Sequence, residues 1–226
     1  ETNFMSSKLT VWIFQTGEPL HIDSDNPRPM RAMNLANKLS EQDHRVVLWS
    51  SAFHHQKKTH RSRIYKEIKI SKNLEIRLIP STGYKSNISI ARFYDHCVLA
   101  WNLSKCLKAC DKIPDVAFVG YPPIEVAYVV GDWLKKKKTP FLLDVKDQWP
   151  NVLVASVPGP LRFLARFLLA PYYLMGKKSM HNATGICAHT SGFLNWSSAF
   201  SDRERSNKDF VAPLTSPNDV IDAESM

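Results

Sequence analysis

Apolar residues along the chain follow two periods, and the switches between them outline the elements. Residues 9–14, 45–49, 74–79, 116–119, 139–145 and 185–188 are short runs rich in Val, Ile, Leu, Phe or Trp. Runs of that length predict strands, and the continuously apolar ones predict strands buried on both faces. Residues 65–70 alternate apolar and polar positions, as an edge strand does. Between these runs the period lengthens. Met30, Met33, Asn34, Ala36, Asn37 and Leu39 recur at helical spacing, with Pro29 suited to a first turn and an end near 42–44. Further helices are predicted over 89–110, 124–134, 160–178 and 192–200, and 210–214 closes the regular pattern. Residues 54–63 are basic, contain three histidines without metal-ligand spacing, and predict a solvated loop.

Strands that alternate with helices predict an α/β fold, a Rossmann-like, doubly wound, mostly parallel sheet. Its expected extent is 9–214, with 1–8 a disordered start and 215–226 a polar tail or linker. The stretch Thr139-Pro140-Phe141-Leu142-Leu143-Asp144-Val145-Lys146-Asp147-Gln148-Trp149-Pro150 stands out. An apolar run ends in two carboxylates, a lysine, an amide and a tryptophan. Ligands of open α/β sheets collect beyond the carboxyl ends of the strands, so this expected central strand carries the main functional lead.

Composition narrows the picture. The 226 residues, 44% hydrophobic, suit one domain with a full core or one lobe of a larger enzyme. A net charge of +9 favours anionic partners. None of the four cysteines forms a Cys-x-x-Cys pair, which suits a reducing, cytoplasmic compartment. No run of eighteen apolar residues predicts a spanning helix. The 160–178 segment is apolar almost all round, apart from Arg162 and Arg166 one turn apart. It reads equally as a core helix interrupted at Pro171 or as a helix lying on the cytoplasmic face of a membrane.

Chemistry is narrowed mainly by exclusion. There is no Gly-x-Gly-x-x-Gly after the first strand, no P-loop, no Gly-x-Ser-x-Gly elbow and no zinc spacing, and no motif interleaves cations with aromatics for nucleic acid. The strand-end loops remain. They bring Gly17, Glu18, Arg28 and Arg31 after the first strand, Tyr121 after the fourth, and Asp144, Lys146 and Asp147 after the fifth. Arginine beside a helix N-terminus holds phosphate, and a strand-end carboxylate orients or deprotonates a hydroxyl. That combination suits transfer of a phosphate-activated group to an alcohol.

Three stretches carry a resemblance to a known family. These are Gly17-Glu18-Pro19, Arg28-Pro29-Met30-Arg31 ahead of Leu35-Ala36-Asn37-Lys38-Leu39, and Asp144-Val145-Lys146-Asp147-Gln148-Trp149-Pro150. Together with His44-Arg45-Val46-Val47, Pro114-Asp115-Val116, Tyr121-Pro122-Pro123 and Phe193-Leu194-Asn195-Trp196, they resemble the N-terminal lobe of family 4 glycosyltransferases of the GT-B fold, of the bacterial O-antigen and capsule type. The last of the three stretches is similar to the family's Asp-x-Arg-Asp-x-Trp-Pro motif. Lys146 stands for its arginine and keeps the cation without the bidentate fork. Asn151 stands where aspartate is common, and Asp43 where glycine precedes His44.

The resemblance implies an acceptor-side lobe, with a second lobe that holds most of the nucleotide-sugar donor through Glu-x7-Glu. It implies a lipid-linked or glycan acceptor at the membrane face, retention of configuration, and no metal or other cofactor. Under it Asp147 is the cleft carboxylate, Gly17 and Glu18 border the donor sugar-phosphate, Arg28 or Arg31 neutralises phosphate, and Asp144 supports Asp147. The lobe alone is expected not to turn over. Two other readings stand beside it: a non-catalytic membrane-associated binding domain, and a lobe of a sugar-nucleotide epimerase.

Overall fold

A computed structural model of the chain describes residues 7–23 and 28–213. The elements run β1 (Thr10–Phe14), α1 (Arg31–Glu41), β2 (Arg45–Ser51), β3 (Phe53–His54), β4 (Thr59–His60), β5 (Lys66–Lys69), β6 (Leu74–Ile79), α2 (Ile90–Lys108), β7 (Val116–Tyr121), α3 (Ile124–Lys136), β8 (Phe141–Val145), α4 (Asn151–Ala155), α5 (Arg162–Leu168), α6 (Ala170–Asn182), β9 (Gly185–Ala188), α7 (Ser191–Ser201) and β10 (Phe210–Val211). Eight strands form one sheet in the order β10-β9-β8-β7-β1-β2-β6-β5. Every pairing is parallel except β5 with β6. The expected doubly wound α/β sheet is therefore present. β8 is interior, between β7 and β9, but the middle of the sheet is β7 and β1.

Side chains alternate across the sheet as a period of two requires. Trp12 and Phe14 of β1 and Val47 and Trp49 of β2 face the layer built by α2, α3, α6 and α7. Val11, Ile13, Val46 and Leu48 face the opposite side, where α1 contributes Ala32 and Ala36. Trp12 and Trp49 are fully buried with ring centroids 5.1 Å apart, so aromatic bulk fills the centre of the larger layer. Between α1 and β2, Asp43 adopts φ 65°. Aspartate is among the few residues besides glycine that visit this left-handed region at modest cost, so the turn forms without the glycine that the family resemblance implies there.

Two expectations change. Residues 54–63 do not form a solvated loop. They fold back as the β3–β4 hairpin, with His54 buried. Arg61 explains why: its guanidinium is nearly buried and forks onto Asp23, Nε to Oδ1 at 2.6 Å and Nη2 to Oδ2 at 2.7 Å, while Nη1 donates to the Ser51 and Phe53 carbonyls. One arginine with five donors ties the hairpin to the end of β2 and to the loop after β1. The 160–178 segment does not choose between its two readings but divides. Its second half, in α6, packs against α3 and α7 with Gly176, Ser179 and Met180 buried, and Pro171 lies in the first turn of α6. Its first half, α5, buries nothing, and Phe163, Phe167 and Leu168 are 83%, 71% and 66% exposed.

Candidate active site

The carboxyl ends of β1, β2, β7 and β8 open onto a cleft of about 260 Å3. The sheet order reverses between β1 and β7, so the cleft lies at the switch point of the sheet, where adjacent loops turn to opposite faces and leave a crevice. β8 delivers its polar residues there. The Lys146 N–H donates to the Tyr121 carbonyl at 2.9 Å, carrying the ladder one residue past β8. Lys146 and Asp147 then line the cleft, and the Asp147 carboxylate accepts the Gln148 N–H at 2.8 Å, which fixes its orientation.

Below them lies a network of alternating charge. Asp144 is fully buried, with Arg31 Nη1 at 2.5 Å from one oxygen and Lys146 Nζ at 3.4 Å from the other. Lys146 also bonds Glu18. Glu18 in turn accepts the Ala32 N–H at 2.9 Å and a bond from Gln15 at 3.2 Å. α1 needs that acceptor: its N-cap is Met30, which offers no side-chain cap, and its first turn has no acid. Glu18 thus satisfies a free helix N–H from outside the helix and places an anion at its positive end. The Cys187 thiol lies 3.5 Å from Asp144, and burial, reinforced by that carboxylate, pushes it up so that it stays protonated.

The residues singled out from the sequence meet different fates. Gly17, Glu18, Lys146 and Asp147 converge on the cleft. Gly17 has open space where a Cβ would stand, so a ligand has free approach to its backbone. Asp144 lies one layer deeper. Arg31 is engaged inside the protein: besides Asp144 it donates to the Ala212 carbonyl at 2.5 Å and to His189 Nδ1 at 3.0 Å, tying β8, the β9–α7 turn and the chain after β10 together. His189 is held below the usual histidine range by burial and then by the Arg31 charge. Arg28 is exposed and does not line the cleft. Tyr121 reaches the strand end but not the cleft. It is fully buried, donates its hydroxyl to the Trp149 carbonyl at 2.6 Å, and lies where any Cβ on Gly176 would meet it at 2.8 Å. Its role is to fix the turn that presents Asp147. Asp25, another polar residue of the first loop, and Leu214 with the polar tail lie outside the described residues.

The opposite wall was missed. It consists of His55, Tyr84, Arg92, Asp95 and His96. The last three stand on α2, and Arg92, Asp95, His96 and Leu99 follow one helical face at i, i+3, i+4 and i+7. That spacing was present in the sequence. It was hidden because apolar residues of α2 such as Ile90 and Trp101 suggest a different inner face, yet both are exposed. His96 is buried, with Nδ1 3.7 Å from a buried Glu125 oxygen, and Tyr172 donates to the other Glu125 oxygen at 2.9 Å. Asp95 accepts the Gly83 N–H at 2.5 Å. His55 bonds the Tyr84 hydroxyl, and burial, then the charges of Lys58 and Arg92, push it down to about 4.

No family model and no curated protein matches the chain. Solved structures do. A sucrose-phosphate synthase from Thermosynechococcus elongatus superposes with a TM-score of 0.54 at 8% identity, over 92% of this chain and 90% of that one. The catalytic domain of starch synthase IV from Arabidopsis thaliana, bound to ADP and acarbose, gives 0.55 at 10% identity, over 92% and 52%. TcCGT1 in complex with UDP gives 0.51 at 12% identity, over 92% and 50%. The chain spans about half the length of the latter two. The shared feature is the fold, a Rossmann-like lobe of the GT-B architecture.

Proposed function

We propose that the chain is the acceptor-side lobe of a glycosyltransferase, moving a sugar from a nucleotide-sugar donor to a lipid-linked or glycan acceptor in cell-surface polysaccharide synthesis. One observation carries the reading. Asp147 and Lys146 stand past the end of β8, on the cleft at the sheet's switch point, in a fold shared with solved glycosyltransferases. The chemistry follows from the groups present. An acceptor hydroxyl near Asp147 loses its proton as its oxygen attacks the anomeric carbon; the bond from that carbon to the donor phosphate breaks, and the nucleoside diphosphate leaves. Asp147 orients the hydroxyl or takes its proton. Lys146 gives the site a cation whose position Glu18 and Asp144 fix. Gly17 offers backbone to the donor sugar-phosphate. In this reading a second lobe closes over the open side of the cleft, and the lobe alone does not turn over. Retention of configuration and independence of metal ions complete the proposal.

The exposed face of α5 favours a peripheral seat on a membrane. Leu161, Phe163, Leu164, Phe167 and Leu168 are all exposed, Arg162 and Arg166 are the only charges among them, and residues 151–182 contain no acid. Such a face suits insertion at an anionic surface, with arginines at headgroup level. No helix among the described residues is long and apolar enough to cross a membrane. The test is incubation of the protein at its native length with labelled nucleotide sugars and a membrane lipid extract, with and without EDTA. Label is expected in the lipid phase in both conditions. No transfer from any donor, to lipid or to free glycan, would refute the transferase reading.

A further inference from the structure

The cations in and around the cleft are not all neutralised. Lys146 and Arg31 have carboxylate partners. Arg92 and Lys58 have none within 4.0 Å among the described residues. They stand at one ring: Lys58 Nζ is 4.5 Å and the Arg92 guanidinium carbon 5.8 Å from the centre of Tyr84. Both spend a donor on the neutral Asn87, Arg92 Nη1 on its carbonyl at 2.9 Å and Lys58 Nζ on its side-chain oxygen. The Arg92 guanidinium carbon also lies 4.8 Å from the centre of the Trp149 ring, within cation–π range. Its Nε is buried without a hydrogen-bond partner.

A buried donor left unpaired is costly, and two cations held together without an anion raise that cost. The surroundings register the strain. Lys58 is held below the usual lysine range by burial and then by the Arg92 charge. Asp95 and Asp147 line the same cleft but form no ion pair with either cation, and each accepts a backbone N–H, from Gly83 and Gln148. The remaining neighbours, His55 and His96, bring no negative charge.

We propose that Arg92, which lines the cleft, and Lys58, which stands beside it across Tyr84, form an anion subsite at the cleft's edge that takes a phosphate or diphosphate ester. Guanidinium and ammonium are both side-chain cations that donate charge-assisted hydrogen bonds to phosphate oxygens. Arg92 lies in the first turn of α2, where the helix dipole also favours an anion. The inference rests on the transferase reading only for the identity of the ligand, which is either the donor's diphosphate or a phosphate on the acceptor.

Calorimetric titration of the chain with inorganic pyrophosphate at low ionic strength tests it. Binding is expected, and R92Q and K58Q are each expected to weaken it about tenfold or more, as loss of a charge-assisted contact does. K177Q, which removes a cation paired with Asp202 away from the cleft, should bind as the unaltered chain does. Lys58 is only partly buried, so K58Q answers the question even if R92Q fails to fold. UDP and dodecyl phosphate are the two source arms: whichever binds more tightly than pyrophosphate, and loses that gain in K58Q, identifies the donor or the acceptor as the natural occupant. No pyrophosphate binding, or equal binding in both variants, overturns the subsite. Absence of sugar transfer with pyrophosphate binding intact would refute the transferase reading and leave the subsite standing.

Discussion

The two walls of the cleft treat charge in opposite ways. On one, Glu18, Lys146, Asp144 and Arg31 alternate in sign and satisfy one another inside the protein. On the other, Arg92 and Lys58 meet around Tyr84 with neutral partners. The first wall is costly to break, because removing one member strands a buried charge. The second is costly to leave empty, because among the described residues its two cations have no ion-pair partner and Arg92 Nε has no hydrogen-bond partner. One wall is therefore closed within the protein, and the other carries the proposed anion subsite.

The largest effect is expected on the compensated wall. D144A leaves Arg31 and Lys146 without their shared buried carboxylate and should cost about 3–5 kcal/mol of stability, read by urea denaturation. A loss below about 1 kcal/mol would show that the network is not structural. A moderate effect is expected on the other wall as a pH dependence. His55 titrates near 4 in the folded chain, against an ordinary value of 6.5. Between those values the unfolded chain takes up a proton that the folded chain refuses. Stability should therefore fall as pH drops from 6.5 to about 4 and show no further His55 contribution below. H55Q should flatten that part of the slope, and pyrophosphate should reduce it in the unaltered chain by offsetting Lys58 and Arg92. An unchanged slope in H55Q would remove His55 as its source. The smallest effect on stability is expected outside the cleft. F163E with F167E should shift it by no more than about 0.5 kcal/mol, since neither ring is buried. The same pair should abolish co-sedimentation with anionic vesicles; retained co-sedimentation would remove α5 from the membrane reading.

The contrast between the walls also marks what the sequence revealed. Strand periodicity located β1, β2, β6, β7, β8 and β9, because a parallel sheet buried on both faces leaves long apolar runs. The compensated wall was legible, since its residues crowd the ends of two such runs. Which of them line the cleft was only partly legible: Asp144 is buried behind Lys146 and Asp147, in keeping with the supporting place expected of it, but Tyr121 adjoins them at a strand end and yet points into the core. The uncompensated wall escaped because it is assembled from a hairpin, a loop and one face of α2. The hairpin itself depends on a fork between Arg61 and Asp23, 38 residues apart, which no local pattern encodes. The exposure of α5 was equally hidden, because an apolar run has the same composition whether or not anything covers it.

The central claim is that the cleft past β8 is where transfer takes place, and Asp147 is the group that tests it. The measurement is steady-state sugar transfer by D147N in the protein at its native length, alongside its thermal unfolding midpoint. The side chain lines the cleft and its internal hydrogen bond is to the Gln148 N–H, which the amide oxygen of asparagine still accepts. The account predicts a fall in kcat of about a hundredfold or more, the usual range for losing a positioned acid or base, with Tm within a few degrees of the unaltered protein. Turnover equal to that of the unaltered protein would contradict it.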